Sequence, residues 1–270
     1  MPFPRLLRRW AVLALLCVPM LLASPWRVPA NAAENAEVGK RKAAQRTSFT
    51  DKEIVDGFFK VSFGAELGLR GHVDRIRKFA KPVRIYAESE AKPDRRAALA
   101  TVVADIRAHI AGLDIAMTDD REQANVIVKL VRDRDLARTV SAIYGDAGRR
   151  IVQSLQPQCL SGFSKDAEYR IIQSNVILAA DVRDFIFLDC AYEELLQALG
   201  PIRDDSSVPW TMFNDDVQMG FFDIYDQYLL NIHYDPSIRA GMTKAEVRAV
   251  LPDVLPRVRA FVRRVNGLDP

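Results

Sequence analysis

Four short runs of β-type residues, set among amphipathic helices, restrict this chain to folds built around one sheet. The run PVRIYAES (82–89) has strand composition and alternation, as do LDIAMT (113–118), ANVIVKLV (124–131) and NVILAAD (175–181). Between the first two, residues 94–113 repeat Leu99, Val102, Val103, Ile106 and Ile110 on one helical face. Upstream, Thr50 and Glu53 form a capping box, and Ile54, Phe58, Val61 and Ala65 recur at helical spacing towards Gly68. A helix over 134–144 follows the third strand and another over 185–199 follows the fourth. The C-terminal third reads as helices broken at Pro209, Pro236, Pro252 and Pro256. Strands interleaved with helices, then helices alone, indicate an α+β or mixed α/β fold with one sheet. One domain over 49–270 accommodates them, with the sheet and the 185–199 helix in 49–200 and a helical part in 201–270.

Residues 1–33 are expected to stand outside that domain. Arg5, Arg8 and Arg9 precede an apolar stretch over 10–23. At about 1.5 Å per residue this stretch is too short to cross a bilayer core of ~30 Å. Ala30 and Ala32 then offer an A-x-A cleavage pattern, so the segment reads as a secretory signal peptide. Leu16 before Cys17 does not suit a lipobox. The sequence therefore predicts export, to a periplasm or beyond the cell, with no transmembrane helix in the mature chain.

Export changes the charge. The chain has 38 basic and 35 acidic residues; Arg5, Arg8, Arg9 and Arg27 leave with the signal, so 34 bases face 35 acids and the net charge is −1. That balance supplies no basic face for nucleic acid. Residues 34–48, basic from Lys40 to Arg46 and otherwise polar, read as a flexible leader. Two cysteines survive processing, Cys159 and Cys190. In an oxidising compartment such a pair forms a disulfide, here tying the 185–199 helix to the loop before it. The rival role is a catalytic thiol, for which no nearby histidine is evident in the sequence.

The same helix carries the most specific pattern, CAYEELLQALG over 190–200. Residues four apart lie one above the other on a helix. Zinc peptidases therefore place two imidazoles at the ends of H-E-x-x-H, with the Glu beside them as general base. The longer form H-E-x-x-H-x-x-G-x-x-H uses a Gly to turn the chain so that a third ligand returns. Glu193 and Gln197 stand at the first two ligand positions, Glu194 at the base and Gly200 at the turn; Arg203 falls at the third, with Asp204 next. The spacing is kept and all three imidazoles are missing.

Here the residues carry a family resemblance. CAYEELLQALGPIRDD, then FNDD, then HYDPSIRAGMTKAEV resemble the bacterial domain-of-unknown-function family 2927, most closely over 159–247 and back to about Phe49. The resemblance implies an exported protein and assigns no activity. Its further likeness to zincins rests on the one helix and on the order of elements, in which a small twisted sheet lies beside a long helix.

No cofactor is expected. Oxygen donors suit calcium, magnesium or manganese better than zinc, and Glu193, Gln197 and Asp204 are the candidate ligands of such a weak site. His72, His109 and His233 read as surface or core-edge residues, although His233 lies downstream, as a late zincin ligand does. Met212 either fills the core or stands where a metzincin has its Met-turn. Asn214, Asp215 and Asp216 form a turn cluster; were Asn214 or Asp215 to fold back towards Glu194, a polar cleft would close around Glu193, Glu194, Gln197 and Asp204. The plain alternative is a solvated face over a buried stripe of Leu195, Leu196 and Leu199, ended by Gly200. Two functions follow. One is an envelope protein with a degenerate zincin-like helix that binds or scaffolds another envelope protein or peptide. The other is a divergent peptidase-like hydrolase with Glu194 as general base.

Overall fold

The computed structural model describes residues 35–64, 74–155 and 157–268. The expected signal peptide, His72 and the helix end at Gly68 lie outside those residues. The chain is mixed α/β: α1 (Ala36–Ala44), α2 (Asp51–Ser62), β1 (Val83–Ser89), α3 (Arg96–His109), β2 (Ile115–Met117), β3 (Val126–Val131), α4 (Asp133–Leu155), β4 (Cys159–Lys165), β5 (Ile171–Ala179), α5 (Asp184–Ala198), α6 (Ile224–Tyr234) and α7 (Lys244–Val265). The strands form one sheet in the order β2-β1-β3-β5-β4. Neighbours are parallel except at β4, which runs antiparallel to β5 on the edge.

Alternation along the strands divides the core between the two faces of the sheet. Val83, Ile85, Val126, Val128, Val176 and Leu178 point into the main core, shared with α2, α3, α5, α6 and α7. Ile177, Ala179 and Leu160 point the other way, onto Leu136, Val140 and Ile151 of α4. Helices on both faces explain why β3 and β5 read as nearly continuous apolar runs. No described helix is long and apolar enough to cross a membrane.

Several sequence expectations change. β4 was not expected, because CLSGFSK lacks β-branched residues; its place comes from pairing with β5. The 134–144 helix extends to Leu155 across a break at Gly145, where φ is 59°. Residues 201–223 contain no helix, so the C-terminal helical part begins at Ile224. Pro252 and Pro256 do not break α7 but lie within it. Both are exposed, so the carbonyls they leave unbonded can reach water, while Leu251, Val254, Val258 and Val262 hold the opposite face in the core. The polar stretch ahead of the domain contains α1, capped by the Asn35 side chain and docked through Val38 and an Arg41 bond to the Gln218 carbonyl.

Helix α6 is buried along its whole length and anchors the irregular 201–223 segment. Asp226 accepts the Thr211 hydroxyl and, at 2.7 Å, the Met212 N–H. Asp223 caps the helix through Tyr225 N–H at 2.8 Å. Gly57 lets α2 approach α6, since a Cβ there would lie 2.0 Å from the Tyr225 hydroxyl.

The tightest junction is Gly200. Its φ is 137°, and a Cβ would lie 2.1 Å from the Arg77 carbonyl oxygen and 2.5 Å from His233 Nε2. Positive φ and contact with a backbone atom both exclude a side chain. Gly200→Ala is therefore expected to cost about 2–4 kcal/mol, read as a lower denaturation midpoint in urea. An unchanged midpoint would refute the close packing described.

Candidate functional site

Helix α5 packs on β5 and β4, and its C-terminal end is held by side chains. Ser174 Oγ donates to the Ala198 carbonyl at 2.9 Å and Tyr234 OH to the Leu199 carbonyl at 2.8 Å, satisfying two carbonyls that a helix end leaves open. Leu195, Leu196 and Leu199 are buried. On another side, Asp189, Glu193 and Gln197 follow one another at four-residue steps. Cys190, beside them, is bonded to Cys159 at the start of β4. Two residues along β4, the Ser161 hydroxyl lies 3.4 Å from Gln197 Oε1.

Gly200 then turns the chain back over this face. Arg203 N–H donates to the Val61 carbonyl at 3.3 Å, and Gln197 Nε2 donates to Asp204 Oδ1 at 2.9 Å. The following loop is tied to itself by Asp205 N–H to the Phe213 carbonyl, 2.9 Å, and Val217 N–H to the Asn214 carbonyl, 2.7 Å. This fold-back delivers Asp215. Helix, edge strand and loop enclose a cavity of about 400 Å³ lined by Glu193, Glu194, Gln197, Asp204, Asp215 and the disulfide.

One carboxylate oxygen each from Glu193, Asp204 and Asp215 lies within 4.8 Å of the others. Such a group is hard to ionise completely. Burial, reinforced by Glu194, Asp204, Asp189 and Asp215, pushes Glu193 up to about 10, so it carries a proton at neutral pH. Burial also raises Asp189, against the opposing pull of the Met219 and Gly220 N–H groups it accepts. Three oxygens at this spacing could hold a hard cation, or receive an ammonium or guanidinium group.

Glu193, Glu194, Gln197, Asp204 and Asp215 thus come together around one cavity. Asp215, rather than Gln197, completes the oxygen trio, because the Gln197 amide is engaged by Ser161 and Asp204. Asn214 does not join them. Its Nδ2 donates to the Val208 carbonyl at 3.0 Å and its Oδ1 accepts Asp216 N–H at 3.1 Å, so it shapes the loop. Met212 is core. Arg203 pairs with Asp205 at 3.4 Å. His233 is buried, with Nε2 donating to the Arg77 carbonyl at 2.8 Å, and burial pushes it down to about 3. His109 pairs with Asp105 on α3. Sequence reasoning missed Asp189 and Ser161. The four-residue step back from Glu193 would have found the first, and only strand pairing reveals the second.

The family model for a protein of unknown function (DUF2927) matches residues 51–253. No curated protein and no solved structure matches the chain.

Two outcomes are expected. Removing the disulfide by Cys159→Ser with Cys190→Ser releases a loop spanning 31 residues and should cost about 3 kcal/mol in urea denaturation, against no change if the bond is dispensable. The folded protein holds the Glu193 proton more tightly than the unfolded chain does. Its stabilising contribution is therefore complete below the ordinary carboxyl value of 4.5 and is lost as pH rises through about 10. Thermal unfolding from pH 5 to 9 should show stability falling with pH, less steeply in Glu193→Gln, which gains about 1–2 kcal/mol at pH 8. Parallel profiles for the two proteins would contradict this proton assignment.

Proposed function

This chain belongs to the DUF2927 family of proteins of unknown function, and we propose that it is an envelope protein that binds an extended, basic segment of a partner protein. The observation that carries this reading is the trio Glu193, Asp204 and Asp215 set in a cavity beside the sheet's edge strand. Among the described residues β4 pairs only with β5, so its outer edge can accept a further strand. A lysine or arginine carried on that strand would meet the acidic trio and relieve its mutual repulsion. The disulfide and the N-terminal pattern of Arg5, Arg8, Arg9 and an apolar run support an exported location.

A second reading has one favouring observation. The same three oxygens could hold a divalent cation, and Glu194, buried and lining the cavity, stands where the general base of H-E-x-x-H would. That spacing, with Gly200 three residues after Gln197, supports descent from a zincin helix. Peptidase-like hydrolysis would need the cation.

The readings separate experimentally. Elemental analysis of protein purified without a His tag is expected to find no stoichiometric calcium, magnesium, manganese or zinc. Lysine-rich extended peptides should bind with an affinity that falls as salt rises, and Asp204→Asn should weaken them by about tenfold. Stoichiometric metal lost on Glu193→Gln, together with no peptide binding, would overturn the binding reading in favour of the metal-dependent one.

A further inference from the structure

A second cavity, of about 440 Å³, lies away from the acidic cleft and is lined by α1, α3, α5, the turn at 220–222 and the adjoining helices. Its size falls in the ~300–1,000 Å³ range of small-molecule sites. Val38, Phe187, Leu188 and Phe222 supply apolar walls.

One polar group in it is held with unusual completeness. His109 is the last residue of α3, and its Nδ1 lies 3.0 Å from Asp105 Oδ1 and 2.9 Å from the Asp105 carbonyl oxygen. The other carboxylate oxygen, Oδ2, accepts the Tyr192 hydroxyl at 2.8 Å. With both Asp105 oxygens engaged, the proton on the His109–Asp105 bond sits on Nδ1, leaving Nε2 for a ligand. Phe222 stands edge-on to the ring, with centroids 6.3 Å apart. The helix end is clamped as well: Asn231 Nδ2 donates to the His109 carbonyl at 2.7 Å, and Asn231 Oδ1 accepts Ala111 N–H at 2.8 Å. An imidazole oriented by a carboxylate and aimed from rigid elements is how proteins prepare a binding or proton-transfer group.

The surrounding charges indicate what would bind. Arg95 lines the cavity but is consumed by the Ala180 and Val182 carbonyls and by Asp184. Asp105 is consumed by His109 and Tyr192. Lys42 of α1 lines the same cavity and is close enough to oppose protonation of His109, whereas the Asp105 hydrogen bond favours it. Among the described residues, the groups left to meet a ligand are the Lys42 ammonium and His109 Nε2, whose protonation the Asp105 hydrogen bond favours.

We propose that this cavity binds a small amphipathic carboxylate, with its apolar body against Phe187, Leu188 and Phe222 and its anionic end between His109 Nε2 and the Lys42 ammonium. A neutral ligand of the same shape would leave the Lys42 ammonium without an anionic partner and His109 Nε2 without a charged one, which disfavours it. Because α1 supplies both Val38 and Lys42, the complete site forms only with α1 docked, and occupancy holds α1 in place.

Naphthoate, a rigid apolar acid, is the probe, and naphthalene methanol is its neutral counterpart. The chain has three histidines, so ring-proton NMR can follow His109 once His109→Asn assigns its signal. Naphthoate should bind at one equivalent, shift the His109 ring signals and slow amide exchange in α1. Lys42→Ala, at an exposed position that leaves the fold intact, should weaken it about tenfold, and naphthalene methanol should bind about tenfold more weakly than naphthoate. His109 signals that stay fixed at millimolar naphthoate would overturn the proposal. So would equal affinity for the acid and the alcohol, with no effect of Lys42→Ala.

Discussion

The contact on which most of this structure depends is the meeting of two backbones and a buried imidazole at Gly200. The Arg77 carbonyl accepts His233 Nε2–H from α6, and Gly200 lies against both. The segment leading to β1, the end of α5 and the middle of the C-terminal part are thereby fixed to one another. The direction in which the chain leaves α5 follows from that contact. With a side chain at 200 the exit would have to swing outward, and Asp204 could not return to the Gln197 amide. His233 is neutral at physiological pH because its burial is complete; the charge beside the junction that pH can remove is Lys78, whose ammonium donates to the His233 carbonyl at 2.8 Å and which burial pushes down to about 8.

The acidic cleft depends on that rigidity. Carboxylates drawn close together in a partly dry site repel one another, and the fold holds them only because each is delivered by a separately secured element. Glu193 comes from a helix pinned by a disulfide and by two hydroxyl caps. Asp204 comes from the Gly200 turn, and Asp215 from a loop anchored on Asp226. Stability elsewhere therefore sustains local strain here, the usual relation between a scaffold and a binding site. The second cavity shows the opposite balance: Asp105 is satisfied twice over, and the Lys42 ammonium is left facing the space.

Some of this was legible in the chain. Amphipathic periodicity located α2, α3 and α5 because a helix facing a core must repeat its apolar residues regardless of what it packs against. Strand composition located β1, β2, β3 and β5 because each buries at least one face against helices, β3 and β5 on both faces. β4 was not legible. Its Ser, Gly and Lys have little strand preference, and only hydrogen bonding to β5 makes them a strand. The prolines of α7 misled for a related reason: local preference forbids them inside a helix, yet a buried apolar face opposite them outweighs the two lost bonds.

For the candidate site, the spacing Glu193, Glu194, Gln197, Gly200 determined a polar helix face and a sharp turn, since both are properties of consecutive residues. The pair Cys159 and Cys190 determined the available cross-link. Only the tertiary structure decided what stands opposite that face. It turned Gln197 inward to Ser161 and Asp204, kept Asn214 within its own loop, and brought Asp215 to Glu193 across more than twenty residues. Periodicity reports which way a side chain points within its own element. Which charges meet depends on how separate elements pack, and that is settled by burial and loop anchoring far along the chain.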